Sequence, residues 1–218
     1  MLRYVQLFVA PLMIALSLFG CSKHNAARDQ GIYMLLDTSG TYAKELETAQ
    51  GIINHILAKM QPGDTFAVQR IDTGSFSEKD IIYSKTFDMR PSKSNEERRL
   101  FKHKLEEFIH SVKASPYTDI TGGILQGIEF LNEAKPGKKT ILIFSDMKEE
   151  LQKGYNRAIE LKLKGFTVIA INMVKLRTDN LNPQEYLDRI KEWDGKVVAA
   201  GGTWKTINDL ERLDPIFE

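Results

Sequence analysis

The sequence predicts an α/β fold of three layers: a doubly wound, mostly parallel sheet with one antiparallel edge strand and helices on both faces. Three observations carry that expectation. From Gly31 onward, apolar runs of strand length alternate with segments of helical periodicity. The first run, Gly31-Ile32-Tyr33-Met34-Leu35-Leu36, stays apolar without alternation until Asp37 closes it, as a strand buried on both faces reads. No internal repeat or low-complexity tract interrupts the series, so it makes one domain.

After the first strand, Leu46, Ala49, Ile53, Ile56 and Met60 recur at helical spacing, and Pro62-Gly63 closes the helix. Thr65–Ile71 is the second strand. Ile81–Phe87 alternates more and follows a short Gly/Ser stretch, which suits an antiparallel edge. Ser94 and Glu97 read as a capping box opening a helix with the stripe Phe101, Leu105, Phe108 and Val112. Gly122–Ala134 is helical, with Ile124, Ile128 and Leu131 on one face, and Thr140–Phe144 is a buried strand running into Ser145-Asp146. The remainder predicts a helix over Leu151–Lys164, a strand over Phe166–Val174 and a helix from Asn182-Pro183 through Trp193. A strand over Lys196–Ala200 and a final helix over Trp204–Leu213 complete it, with Gly201-Gly202-Thr203 as turn and N-cap. Trp193 and Trp204 take packing positions, while His103 and His110 are solvated.

Composition narrows the function. The chain carries 30 Lys and Arg against 29 Asp and Glu, and without Arg3, the one charge in the first 20 residues, the signs balance. Such a surface gives little general attraction to phosphate backbones or anionic lipid, which argues against nucleic acid as a partner. The single cysteine excludes an intramolecular disulfide and a Cys-based zinc cluster.

That cysteine closes the leader. Arg3 precedes the mostly apolar Tyr4–Phe19, and Gly20 stands before Cys21: a charged start, an apolar centre and a small residue before a cut. Gln6 and Pro11 interrupt a run that is short for a membrane span of about 20 residues, although an uncleaved N-terminal anchor is the alternative. Leu18-Phe19-Gly20-Cys21 resembles the lipobox of bacterial lipoproteins. The resemblance implies a signal peptide over 1–20, a lipidated (palmitate-type) Cys21 as the first mature residue, a polar tether over 21–29 and a domain over 30–218. More than one acyl chain makes such an anchor stable. Ser22 rather than Asp after the cysteine implies the outer membrane, facing the periplasm, where a source has two membranes.

Ligands of open parallel sheets gather outside the carboxyl ends of the strands. Asp37-Thr38-Ser39-Gly40-Thr41 leaves the first strand, Thr118-Asp119 precedes a helix, and Asp146 leaves the strand Thr140–Phe144. The spacing of Asp37, Ser39 and Thr41 lets one turn aim three oxygens at a point. With Thr118 and Asp146 the set is all oxygen, suited to the hard cations Mg²⁺, Mn²⁺ or Ca²⁺.

This set resembles the metal-ion-dependent adhesion site of the von Willebrand factor type A domain: Asp-x-Ser-x-Ser/Thr, then a Thr on a second loop and an Asp on a third. Order and strand context agree over nearly the whole of 30–218, which implies the family's Rossmann-like sheet. The third loop reads Ser145-Asp146-Met147-Lys148 where many relatives have Thr-Asp-Gly, so the acid is kept and Lys148 brings a charge beside it. The resemblance implies Mg²⁺ first, with Mn²⁺ or Ca²⁺ as alternatives. It implies a partner protein whose Asp or Glu completes the coordination, with no small-molecule substrate and no catalysis. Phe76, Tyr117, Asp119, Met147 and Lys148, on loops beside the site, are the candidate partner contacts.

Other readings stand beside this one. Ser39 and Thr41 could cap the first helix, Asp37 could hold a loop, and Thr121 could replace Thr118. Asp119 reads as ordering its loop. Gly122-Gly123 could bind phosphate at a helix N-terminus or allow close packing. Asp37 with Gly40-Thr41 also resembles the first motif of haloacid-dehalogenase-like Mg²⁺-dependent phosphatases, but that chemistry needs a second acid where Ser39 stands. A scaffolding domain that binds no metal is the third reading.

Overall fold

Strand β1 (Gln30–Asp37) has neighbours on both edges and helices over both faces, which is why its sequence is apolar without alternation. The computed structural model describes residues 29–40, 45–155, 159–173 and 182–217. Among them lie five further strands: β2 (Thr65–Ile71), β3 (Ile81–Thr86), β4 (Lys138–Phe144), β5 (Phe166–Ile171) and β6 (Thr203–Ile207). The α-helices among them are α1 (Leu46–Lys59), α2 (Pro91–Ser111), α3 (Ile120–Ala134) and α4 (Pro183–Ala199). The sheet order is β3-β2-β1-β4-β5-β6, antiparallel only between β2 and β3.

Period-two geometry divides the interior in two. Ile32, Met34 and Leu36 face a core shared with Ile53 and Ile56 of α1 and Phe101 and Leu105 of α2. Tyr33 and Leu35 face the other core, with Ile124 and Leu131 of α3 and Trp193 and Val197 of α4. Phe101 stacks on Phe66 with ring centroids 4.9 Å apart; burying each such side chain contributes about 1.5–3 kcal/mol. Helix α3 lies unusually close to the sheet. A Cβ at Gly123 would stand 2.9 Å from Leu35, and one at Gly127 2.9 Å from Tyr33, so close packing is the role of Gly123.

Several expectations need correction. Helix α2 begins at Pro91, a residue suited to a first turn because its missing N–H is not needed there. Ser94 and Glu97 therefore lie inside the helix, and Glu97 accepts the Asp88 N–H (2.8 Å) and pairs with Lys85 (3.0 Å). No helix occupies the described part of 151–164, where Gly154 takes a left-handed φ of 95°. Lys196–Ala200 is no strand: Val197 is buried one turn beyond Trp193 while Val198 is 57% exposed, a helical pattern that continues α4 to Ala199. Gly201 (φ 81°) ends that helix, and the last strand is Thr203–Ile207, where a helix was expected. Residues 1–28, and with them the leader, the lipobox and Cys21, lie outside the described residues, as do Thr41 and Val174.

Candidate functional site

From β1 the chain turns to β2 and β3 on one side, then returns to β4 on the other. The gap between β1 and β4 at their carboxyl ends is thus the point where strand order reverses, the place at which such sheets bind ligands. Leu36 pairs with Phe144, so Asp37 and the Ser145-Asp146 turn emerge side by side.

Asp37 is fully buried. Its Oδ1 accepts the Ser39 N–H (2.8 Å) and its Oδ2 accepts the Ser145 hydroxyl (2.6 Å). Asp146 makes the same local turn, accepting the Lys148 N–H at 2.8 Å. Between them Met147 adopts a left-handed φ of 65°. Its carbonyl accepts the Trp193 indole N–H (2.9 Å), and the Asp146 carbonyl accepts Arg189 Nε–H (2.8 Å). Helix α4 thereby holds the Asp146 turn.

The second loop is tied to both neighbours. The Ser115 N–H donates to the Thr38 carbonyl (2.8 Å) in a parallel bridge that sets Ser39 beside Ser115. Thr118 and Glu150 exchange two backbone hydrogen bonds of 2.8 and 2.9 Å. Ser39, Gly40, Ser115, Pro116, Thr118, Asp146, Lys148 and Glu150 consequently line one open pocket of about 390 Å³.

No family model and no curated protein matches the sequence. Among solved structures, the chain is similar to a von Willebrand factor type A protein from Catenulispora acidiphila (TM-score 0.57, 16% identity, over 87% of this chain and 41% of that one). It is also similar to the pilus adhesin SpaC from Lactobacillus rhamnosus GG in its open conformation (TM-score 0.55, 11% identity, over 87% of this chain and 29% of that one). The chain spans less than half the length of either. The fold is von Willebrand factor type A-like.

Within this type A fold, Ser39, Thr118 and Asp146 reach the pocket from three loops, while Asp37 is buried and bonded to Ser39 and Ser145. Thr121 does not line that pocket: its N–H (2.6 Å) and hydroxyl (3.1 Å) both engage Glu149. Ser39 is no helix cap, because α1 opens later, at Glu45. Asp119 caps α3 through Gly122 N–H (2.8 Å) and takes the Ser75 N–H (2.9 Å), so it orders its loop. A Cβ at Gly122 would meet that carboxylate at 2.4 Å, which explains the glycine without a bound phosphate.

Burial first, and then the neighbouring Asp37 charge, pushes the Asp146 carboxyl up to about 6; burial also holds Asp37 above the ordinary range. Neither has an ion-pair partner within 4 Å among the described residues. Lys148 pairs with Glu150 at the mouth of the pocket. Among the described residues no group of three or more His, Cys, Asp or Glu is placed to hold a metal ion, so any cation here would rely on hydroxyls as well as carboxylates.

Of the expected partner contacts, Phe76 and Lys148 are exposed and Tyr117 is half-buried. Met147 and Asp119 are only 1% exposed, Met147 inside the core and Asp119 beneath its loop, so neither presents a contact surface. Sequence reasoning overlooked Ser145, whose hydroxyl reaches back across 108 positions to Asp37, and Ser115, whose hydroxyl lies 2.6 Å from Asp72 Oδ1. Ser145 stands directly before the expected acid, which was the available signal.

The placement of the two threonines makes a prediction. If a divalent cation occupies this pocket, Thr118→Val is expected to lower Mn²⁺ affinity roughly tenfold or more, whereas Thr121→Val is expected to leave it within about twofold, read by calorimetric titration. Equal losses in both variants would contradict Thr118 as the donor.

Proposed function

We propose that this chain is a binding module of the cell envelope in which a divalent cation links the domain to an acidic residue of a partner protein. Mg²⁺ is the first candidate, with Mn²⁺ or Ca²⁺ as alternatives; Asp37, Ser39, Thr41, Thr118 and Asp146 would hold it. One observation carries the reading: Asp37 and Asp146 emerge side by side at the switch point without an ion-pair partner, and Asp146 lines one pocket with Ser39 and Thr118. Two carboxylates balance a divalent charge, the hydroxyls add neutral oxygens, and a hard cation accepts a further oxygen from outside.

The phosphatase alternative lacks its acid, because position 39 is Ser and the nearby Glu149 is engaged by Thr121. Lipidation at Cys21, with the polar tether that follows, belongs to the same proposal and would place the module at the envelope surface. That the fold is shared with a pilus adhesin is consistent with a binding role.

The test is capture from native membranes with the wild type and with Asp37→Ala/Ser39→Ala, each in Mg²⁺ and in chelator. Partners held only by the wild type in Mg²⁺ support the proposal. Identical partners in all four samples, or phosphoester turnover abolished by Asp37→Asn, would overturn it.

A further inference from the structure

Among the described residues that line the candidate pocket, Lys148 is the only cation, and it stands two positions after Asp146. The Lys148 N–H already donates to Asp146 Oδ1 at 2.8 Å. A lysine carries its ammonium on a flexible four-carbon stem, long enough to turn back from this anchor onto the same carboxylate. Such a pair would neutralise Asp146 and leave a tethered positive charge where a divalent cation would have to enter. The ammonium pairs with Glu150 instead, and Asp146 has no ion-pair partner among the described residues.

The backbone arranges that choice. Lys148 and Glu150 both line the pocket, whereas Glu149 between them turns away and accepts the Thr121 N–H and hydroxyl. The three residues thus alternate as they would along a strand, which puts 148 and 150 on one side. At the far end of this run, the two backbone hydrogen bonds with Thr118 fix Glu150 beside the second loop. At the near end, the Trp193 indole holds the Met147 carbonyl. Arg189, another cation beside the turn, donates Nε–H to the Asp146 carbonyl.

We propose that Glu150 is a positioning residue of the candidate site: by holding the Lys148 ammonium, it keeps Asp146 unpaired and the pocket open to a cation. The consequence for cation affinity rests on the function proposed above; the placement of Lys148 does not. Both side chains of the pair are about half exposed, at 55% and 54%. Ion pairs that wet are weak, so the affinity at stake is about fivefold. Their exposure also lets either be changed without disturbing the core, and the bridge to Thr118 is made by main chain alone.

The experiment compares the full-length wild type, Glu150→Gln and Lys148→Gln/Glu150→Gln. Crystal structures in chelator are expected to place Lys148 Nζ within about 4 Å of Asp146 in Glu150→Gln. Calorimetric titration with Mn²⁺ is expected to show about fivefold weaker binding in that variant and recovery to within about twofold of wild type in the double variant. A Lys148 that stays away from Asp146 when Glu150 is replaced overturns the proposal. So does an equal loss of Mn²⁺ affinity in the single and double variants, which would make Glu150 a ligand instead. A Lys148 that turns to Asp146 in a protein whose wild type takes up no Mn²⁺ supports the positioning role and overturns the cation reading alone.

Discussion

If the site holds a divalent cation as proposed, Asp37→Asn is expected to lower its affinity on the order of a hundredfold or more and to leave the cation-free domain at least as stable as the wild type. The two halves of this expectation have one cause. Asp37 is fully buried, and burial disfavours its charged form. Without a cation, the carboxylate keeps a charge away from water with hydrogen bonds from Ser39 and Ser145 as compensation. The amide preserves both contacts: its oxygen accepts the Ser39 N–H, and its NH₂ donates to the Ser145 hydroxyl, which can turn to accept. A neutral group of the same shape therefore costs the fold little. It removes one of two charges that a cation would need. Calorimetric titration with Mg²⁺ and Mn²⁺, alongside thermal melts in chelator, checks both. Unchanged cation affinity, or collapse of the chelated variant, would contradict the account of this residue.

Trp193→Ala is expected to be the most damaging single change to stability, costing about 3–5 kcal/mol in urea unfolding. The side chain is 2% exposed and sits in the core between α4 and the sheet. Its indole N–H is also the donor to the Met147 carbonyl, so truncation leaves a buried acceptor unpaired, which accounts for about 1–3 kcal/mol of that total. The effect should spread to the site, since Met147 occupies a left-handed conformation immediately after Asp146. Trp193→Phe separates the contributions: most of the volume stays, the hydrogen bond goes, and, if the site holds a cation as proposed, its affinity falls more than stability does. A Phe variant with full stability and full affinity would show that the indole donor does not position the turn.

The position of Met147 shows how far sequence reading carries. The type A motif that this loop resembles commonly has glycine there, and glycine tolerates a left-handed φ freely. In this chain a methionine with a buried side chain adopts such a conformation (φ 65°). The residue therefore contributes packing where a sequence reader sees an accessible loop contact. Asp119 was legible in part: it orders its loop as its place before a helix suggests, but its carboxylate spans two segments under the surface and offers no partner contact. The C-terminal third was the least legible stretch. Lys196–Ala200 is rich in small and β-branched residues, but Val197 lies one helical turn past Trp193, and tertiary burial along that stripe overrode the local strand preference. Conversely, Thr203–Ile207 is short and partly exposed, so its pairing with β5 leaves little trace in its own pattern.

Local pattern sufficed for the α/β class, the central buried strand, the antiparallel edge and the acids that end two strands, because the period of apolar residues and the burial of a strand on both faces are written into neighbouring positions. Folding alone could choose Thr118 over Thr121, recruit Ser115 and Ser145, and bury Met147 and Asp119. Those outcomes depend on which distant backbone runs alongside, through the Ser39–Ser115 and Thr118–Glu150 bridges and the β1–β4 register. A one-dimensional spacing cannot express a hydrogen bond between segments that meet only when the sheet forms.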